Sequence, residues 1–165
     1  MHEKKTFSLF YGGLNDSYIK KRIKKINKLK KYKFSKIYNF KYHLLKFFES
    51  RLDIVLYRAK FALSVKGAAQ LIKHGHVSIN GNVVKSKSYI LKCNDLIEIS
   101  QNKKSRVLIQ KNLDRSNFWP IPPKHLLVNY KTLQILFLYT EGLNVVPLFS
   151  HYLNLNSIIS NIKKS

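Results

Sequence analysis

Lys66, Gln70 and Lys73 recur at intervals of four and three, the spacing of one helical face. His74, His76, Asn80, Lys85, Lys87, Ser88 and Tyr89 follow within a short stretch. Such side chains grip anions: lysine brings a compact charge, while Gln, Asn and Ser bring hydrogen bonds. No chemistry of bond breaking is visible beside them. The eight carboxylates are scattered, without a pair spaced for acid–base work, and no G-x-S-x-G turn occurs. His74, His76 and Cys93 lack a fourth ligand at zinc-site spacing, so no metal and no cofactor are expected. "YGG" at Tyr11 to Gly13 lacks the rest of a phosphate-cradling loop and reads as a turn. No catalytic residue is assigned.

The elements holding these groups are legible from pattern. "SRLDIVLYRAKF" sets Leu52, Val55, Leu56 and Ala59 on one helical face and Arg51 and Arg58 on another. Ser64 suits an N-cap for "VKGAAQLIK", with Ala68, Leu71 and Ile72 inward and Gly75 as its left-handed terminator. Val77 and Ile79 alternate with Ser78 and Asn80, and Asn80-Gly81 suits a type I′ hairpin turn. "SYILK" and "LIEIS" read as further strands, and "QNKKSRVLIQKN" as strand or loop. "FWPIPPKH", Phe118 to His125, reads as a proline-stiffened connector, and "LLVNYKTLQILFLY" as strand-like.

Before this lies a basic run. Between Lys20 and Lys36 ten residues are Lys or Arg and none is acidic. Ile19, Ile23, Ile26 and Lys30, with Leu29 alongside, keep helical spacing, so Lys20, Lys21, Arg22, Lys24 and Lys25 crowd around an apolar stripe. Aromatics interleave further on at Phe34, Tyr38, Phe40, Tyr42, Phe47 and Phe48, most of them expected in a core. Leu148, Tyr152, Leu155, Ile158, Ile159 and Ile162 form a second stripe, expected to pack against the first.

The whole chain agrees with a polyanion partner. Its 165 residues carry 31 Lys+Arg against 8 Asp+Glu, a formal charge of +23, yet 45% are hydrophobic. That describes a folded protein whose charge repels itself until an anionic surface compensates it. One cysteine, Cys93, permits no intramolecular disulfide, which suits a reducing compartment. The longest apolar run, Leu133 to Tyr139, is far too short to span a bilayer, so no membrane insertion is expected. No signal or transit peptide is evident at the N-terminus.

Ser50-Arg51-Leu52-Asp53, Arg58, Phe61, Ala68, Gln70-Leu71, His74-Gly75-His76, Asn80-Gly81, Ser88-Tyr89 and Asp95 together resemble the RNA-binding module of the small-subunit ribosomal protein four family. "PPKHLLVNYKT" and the terminal stripe are similar to that family's return to its N-terminal helical domain. The resemblance implies an α+β fold in which a helical N/C-terminal domain carries an inserted two-helix and β-hairpin (small-sheet) module. The expected divisions are a basic helical region at 1–48, the module at 49–100, a connector at 101–124 and the C-terminal return at 125–165. It implies a non-enzymatic constituent of the small ribosomal subunit that binds small-subunit rRNA at a multi-helix junction during assembly. Other small-subunit proteins, and mRNA near its entry path, are the implied partners. A stand-alone ribosome-associated rescue or assembly factor with the same module is the alternative.

The pattern departs from the family in places. Val65 and Ala69 stand where arginines are usual, Cys93-Asn94 where Pro-Gly is usual, and no N-terminal cysteine cluster occurs. Abundant lysine and scarce alanine suggest an organellar version, mitochondrial first, with plastid or bacterial cytoplasm as alternatives. RNA contacts are expected from Lys20, Lys21, Arg22, Lys24, Lys25, Arg51, Arg58, Lys66, Gln70, Lys73, His74, His76, Asn80, Lys85, Lys87, Ser88 and Tyr89.

Overall fold

A computed structural model describes residues 2–32, 40–115 and 121–138, with side chains at 5–26, 43–115 and 121–138. The chain separates into two compact units, and the division falls between Phe48 and Glu49.

The first unit holds α1 (His2–Phe10), α2 (Asp16–Tyr32) and most of α3 (Phe40–Glu49). Helix α1 stops at Gly12 and Gly13, both at positive φ, whose amides donate to the Leu9 and Ser8 carbonyls. "YGG" is therefore a helix stop. The spacing of Ile19, Ile23 and Ile26 buries all three on α2. Phe7, Tyr11 and Phe48 form an aromatic knot with ring centroids 4.9–5.2 Å apart.

The second unit opens with α4 (Leu52–Arg58) and α5 (Val65–Lys73), followed by β1 (Val77–Ile79) and β2 (Asn82–Val83). Then come β3 (Leu96–Ile99), α6 (Lys103–Asp114), β4 (Leu126–Asn129) and β5 (Gln134–Phe137). The sheet order is β2-β1-β3-β5-β4, antiparallel throughout. Alternation buries Val77, Ile79, Ile97, Ile99, Ile135 and Phe137 with Leu52, Val55, Leu56, Ala68, Leu71 and Ile72 from the helices. Ser78, Glu98 and Gln134 point to the sheet's other face.

Three readings need correction. "QNKKSRVLIQKN" is helix α6, capped by Asn102, whose Oδ1 accepts from the Lys104 amide at 3.0 Å. Its buried face is Ser105, Ile109 and Asn112, while Val107 and Leu108 are about half exposed. A face two-thirds polar hides helical periodicity. "SYILK" forms only the bridge between Arg51 and Ile90, framed by Leu52 N–H to Tyr89 O (2.9 Å) and Leu91 N–H to Ser50 O (2.8 Å). The division expected at residue 100 also moves: β5 pairs with β3, so β4 and β5 complete the module's sheet, and α6 joins its core through Ile109. The proposed docking of the C-terminal stripe, with Phe118, Tyr139 and the aromatics at 34 and 38, lies outside the described residues.

Candidate nucleic-acid interface

Helix α5 presents the site, and its two ends fix its aim. At the start, Ser64 Oγ accepts from the Gly67 amide at 3.1 Å. At the end, Gly75 takes φ +75°, its amide donating to Ile72 O (3.0 Å) while the His76 amide donates to Leu71 O (3.1 Å). That paired closure satisfies the last carbonyls and turns the chain straight into β1. Asn80 and Gly81, at φ +50° and +82°, make the two-residue primed turn that sends β2 back beside it.

The corner between α5 and the segment after β2 is an open depression of about 700 Å³. Lys66, Gln70, Lys73 and His74 form one wall, and Lys85 and Lys87 the other. Four lysines thus converge with no carboxylate among the lining residues. Sequence reasoning missed Ser86 and Ala69 in this lining; Ser86 was detectable from its place between two assigned lysines. Ala69 adds no charge to the α5 wall. Next to the groove, sharing Gln70 and His74, a recess of about 380 Å³ is lined by Leu63, Gly67, Leu71 and Leu108 as well as His76. The rings of His74 and His76 lie parallel within 5°, centroids 6.0 Å apart.

Gly67, in the first turn of α5, faces this recess. A Cβ there would meet Ser64 Oγ at 3.4 Å, an ordinary contact, so packing within the protein does not demand glycine.

Other assigned residues sit elsewhere. Arg51 is 3% exposed and grips Asp53 through two bonds, Nε to Oδ1 at 3.0 Å and Nη2 to Oδ2 at 2.6 Å. It occupies the N-cap position of α4 and not a helical face. Arg58 holds Glu49 in the same forked way, at 3.1 and 3.0 Å. Both guanidiniums are engaged by carboxylates inside the module, a structural role that the sequence pattern did not show. Asn80 is likewise committed: its Nδ2 donates to Asp95 Oδ1 (3.0 Å) and its Oδ1 accepts from the Leu96 amide (2.9 Å). Asp95 Oδ2 accepts from the Lys92 amide at 2.8 Å, across a turn where Asn94 stands at φ +67°, the conformation a glycine would take freely. Ser88 and Tyr89 are half-buried outside the groove lining, Tyr89 packed on the core.

In the first unit, Lys21, Arg22, Lys24 and Lys25 line a separate depression of about 410 Å³ on α2. Lys20 is half-buried outside that lining. Arg22 Cζ lies over the Tyr18 ring, 5.0 Å from its centroid, and over that of Phe47 at 4.7 Å, within cation–π range of both.

Among the described residues, no group of His, Cys, Asp and Glu could hold a metal ion, and no helix is long and apolar enough to cross a membrane.

Residues 50–97, which hold the two helices, the primed hairpin and the lysine-walled corner, match the S4 domain family. Over longer spans the chain resembles small ribosomal subunit protein uS4. The protein of that name from Prochlorococcus marinus (strain NATL2A) is 42% identical over 81 residues, 49% of this chain and 40% of the relative. That of Aquifex aeolicus is 36% identical over 120 residues, 73% of this chain and 54% of the relative. The plant protein uS4c of Ceratophyllum demersum is 41% identical over 93 residues, 54% and 46% of the two chains. The chain therefore spans about half, or less, of these relatives' length. The α+β fold and the family resemblance drawn from Ser50 to Asp95 both stand.

Proposed function

We propose that the chain is a non-enzymatic constituent of the small ribosomal subunit that binds small-subunit rRNA through the α5 groove. The single observation carrying this is the convergence of Lys66, Lys73, Lys85 and Lys87 on one carboxylate-free corner. Phosphate contacts from lysine give affinity with little base selection, so a rigid concave corner selects by backbone outline. A multi-helix junction offers such an outline, and the names of the relatives support the assignment to the small subunit. The α2 depression supplies a second cationic surface for RNA phosphates, and mRNA near its entry path is a further partner implied by the family resemblance. Neighbouring small-subunit proteins complete the set of partners. The lysine-heavy, alanine-poor composition favours a mitochondrial ribosome over a plastid or bacterial one.

Replacing Lys66 and Lys73 by glutamate is expected to weaken binding to a small-subunit rRNA transcript. The slope of log affinity against log salt should flatten by about one unit per lost contact. An unchanged slope rejects the groove. Co-sedimentation with small subunits through a high-salt wash separates a resident constituent from a transient rescue or assembly factor. Immunodetection in purified mitochondria tests the location.

A further inference from the structure

On the outer face of the sheet we propose a second phosphate-binding subsite, made by Arg106, Lys131 and Ser100, that takes one phosphodiester of RNA. It rests on the reading of the α5 groove as an RNA interface. The floor is a cross-strand row, Ser78 opposite Glu98 and Glu98 opposite Gln134, on three adjacent strands. Above it lies a polar cavity of about 430 Å³. Arg106 comes from the first turns of α6. Lys131 comes from the β4–β5 loop, where Asn129 Oδ1 accepts from the amides of Lys131 and Thr132 at 3.0 and 3.2 Å.

Two polar atoms in this lining are buried without a hydrogen-bond partner among the described residues: Arg106 Nε and Ser100 Oγ. An unsatisfied buried donor is costly, and a guanidinium more so than a hydroxyl. Both donors suit the same acceptor, an oxyanion, which a side-chain rotation of each brings within reach, and the exposed Lys131 ammonium adds charge to the lining. The one acid in the lining, Glu98, is restrained because its Oε1 accepts from Gln134 Nε2 at 2.8 Å. Two cations therefore outweigh one carboxylate. Core-forming side chains of β1 and β3 lie between this cavity and α5, so the subsite contacts a different phosphate from those in the groove.

The test is binding of the full chain to a small-subunit rRNA transcript across a salt series. Lys131→Gln, at an exposed position, should flatten the slope of log affinity by about 0.7–0.9, and Arg106→Gln with Lys131→Gln by roughly twice that. Glu98→Gln, which removes the opposing charge, should tighten binding several-fold. Circular dichroism melts check folding, and Lys131→Gln alone carries the test if the Arg106 variant does not melt cooperatively. Unchanged slopes here, with the Lys66 and Lys73 variants still flattened, overturn the subsite and leave the groove standing. If no variant in either set changes the slope, both readings fall. Weaker binding on Glu98→Gln overturns the subsite. Inorganic phosphate raising the melting temperature through Lys131, with an unaltered RNA slope, overturns it in favour of a free-anion site.

Discussion

Arginine and lysine divide the work in this module. Arg51 and Arg58 are forked onto Asp53 and Glu49 inside the protein, whereas the groove lysines have water on one side and no acid in the lining. A guanidinium makes two fixed bonds to a carboxylate and tolerates burial; an ammonium is a hydrated point charge better left at the surface. Removing one partner of a buried pair leaves the other charge uncompensated, so Asp53→Ala is expected to cost about 3–5 kcal/mol of unfolding free energy. Lys73→Gln should cost under about 0.5 kcal/mol while weakening RNA binding. Urea titrations of the two variants measure this contrast, and equal costs would contradict the structural role of the Arg51 pair. Sequence spacing places lysines on a face correctly because nothing nearby competes for them. It misplaces Arg51 because an acid two residues on captures its side chain, and Glu49 does the same to Arg58 from nine residues away. Pattern along one helix does not register such captures.

Elements whose ends are dictated by backbone sterics are the ones legible in advance. Ser64, Gly75 and Asn80-Gly81 each impose one local geometry, so α5, its stop and the hairpin turn follow from four residues. A side chain at Gly75 would meet only ordinary contacts, Val83 Cγ1 at 3.6 Å and Lys85 Cε at 3.7 Å; the obstacle is φ +75°. Gly75→Ala should therefore destabilise by roughly 1–2 kcal/mol, read as a lower denaturant midpoint. Because β1 starts two residues later, it should also weaken RNA binding beyond the stability loss. Helix α6 carries a comparable cap in Asn102, but too few apolar positions follow it to show a helical stripe. It is held by tertiary contacts: Ile109 in the core and Asn112 Nδ2 donating to the Phe61 carbonyl at 3.0 Å, 51 residues away in sequence. Asn112→Ala leaves that carbonyl unmatched and should cost about 1–3 kcal/mol. A cost near zero would mean that water replaces the amide.

At the scale of the whole molecule, two environmental variables act in opposite senses on folding and on binding. Salt screens the self-repulsion of +23 charges and should raise the melting temperature of the free chain, while it releases RNA. Acid acts through a buried ring. His125 is 6% exposed, edge-on to Phe137 at 6.0 Å, with Nε2 unpartnered among the described residues. Burial lowers its pKa from the ordinary 6.5; the Glu49 carboxylate opposes that shift and Arg58 reinforces it. Above pH 6.5 the ring is neutral in both folded and unfolded chains and imposes no penalty. As pH falls below 6.5 the unfolded chain takes up the proton first, so the folded state loses stability. That loss levels off once the pH drops below the depressed folded value. The denaturant midpoint should therefore begin to fall as the pH drops through about 6.5. His125→Phe should remove that part of the slope. A variant whose midpoint falls with acid as steeply as the parent's would show that the ring is reached by water and carries no such penalty.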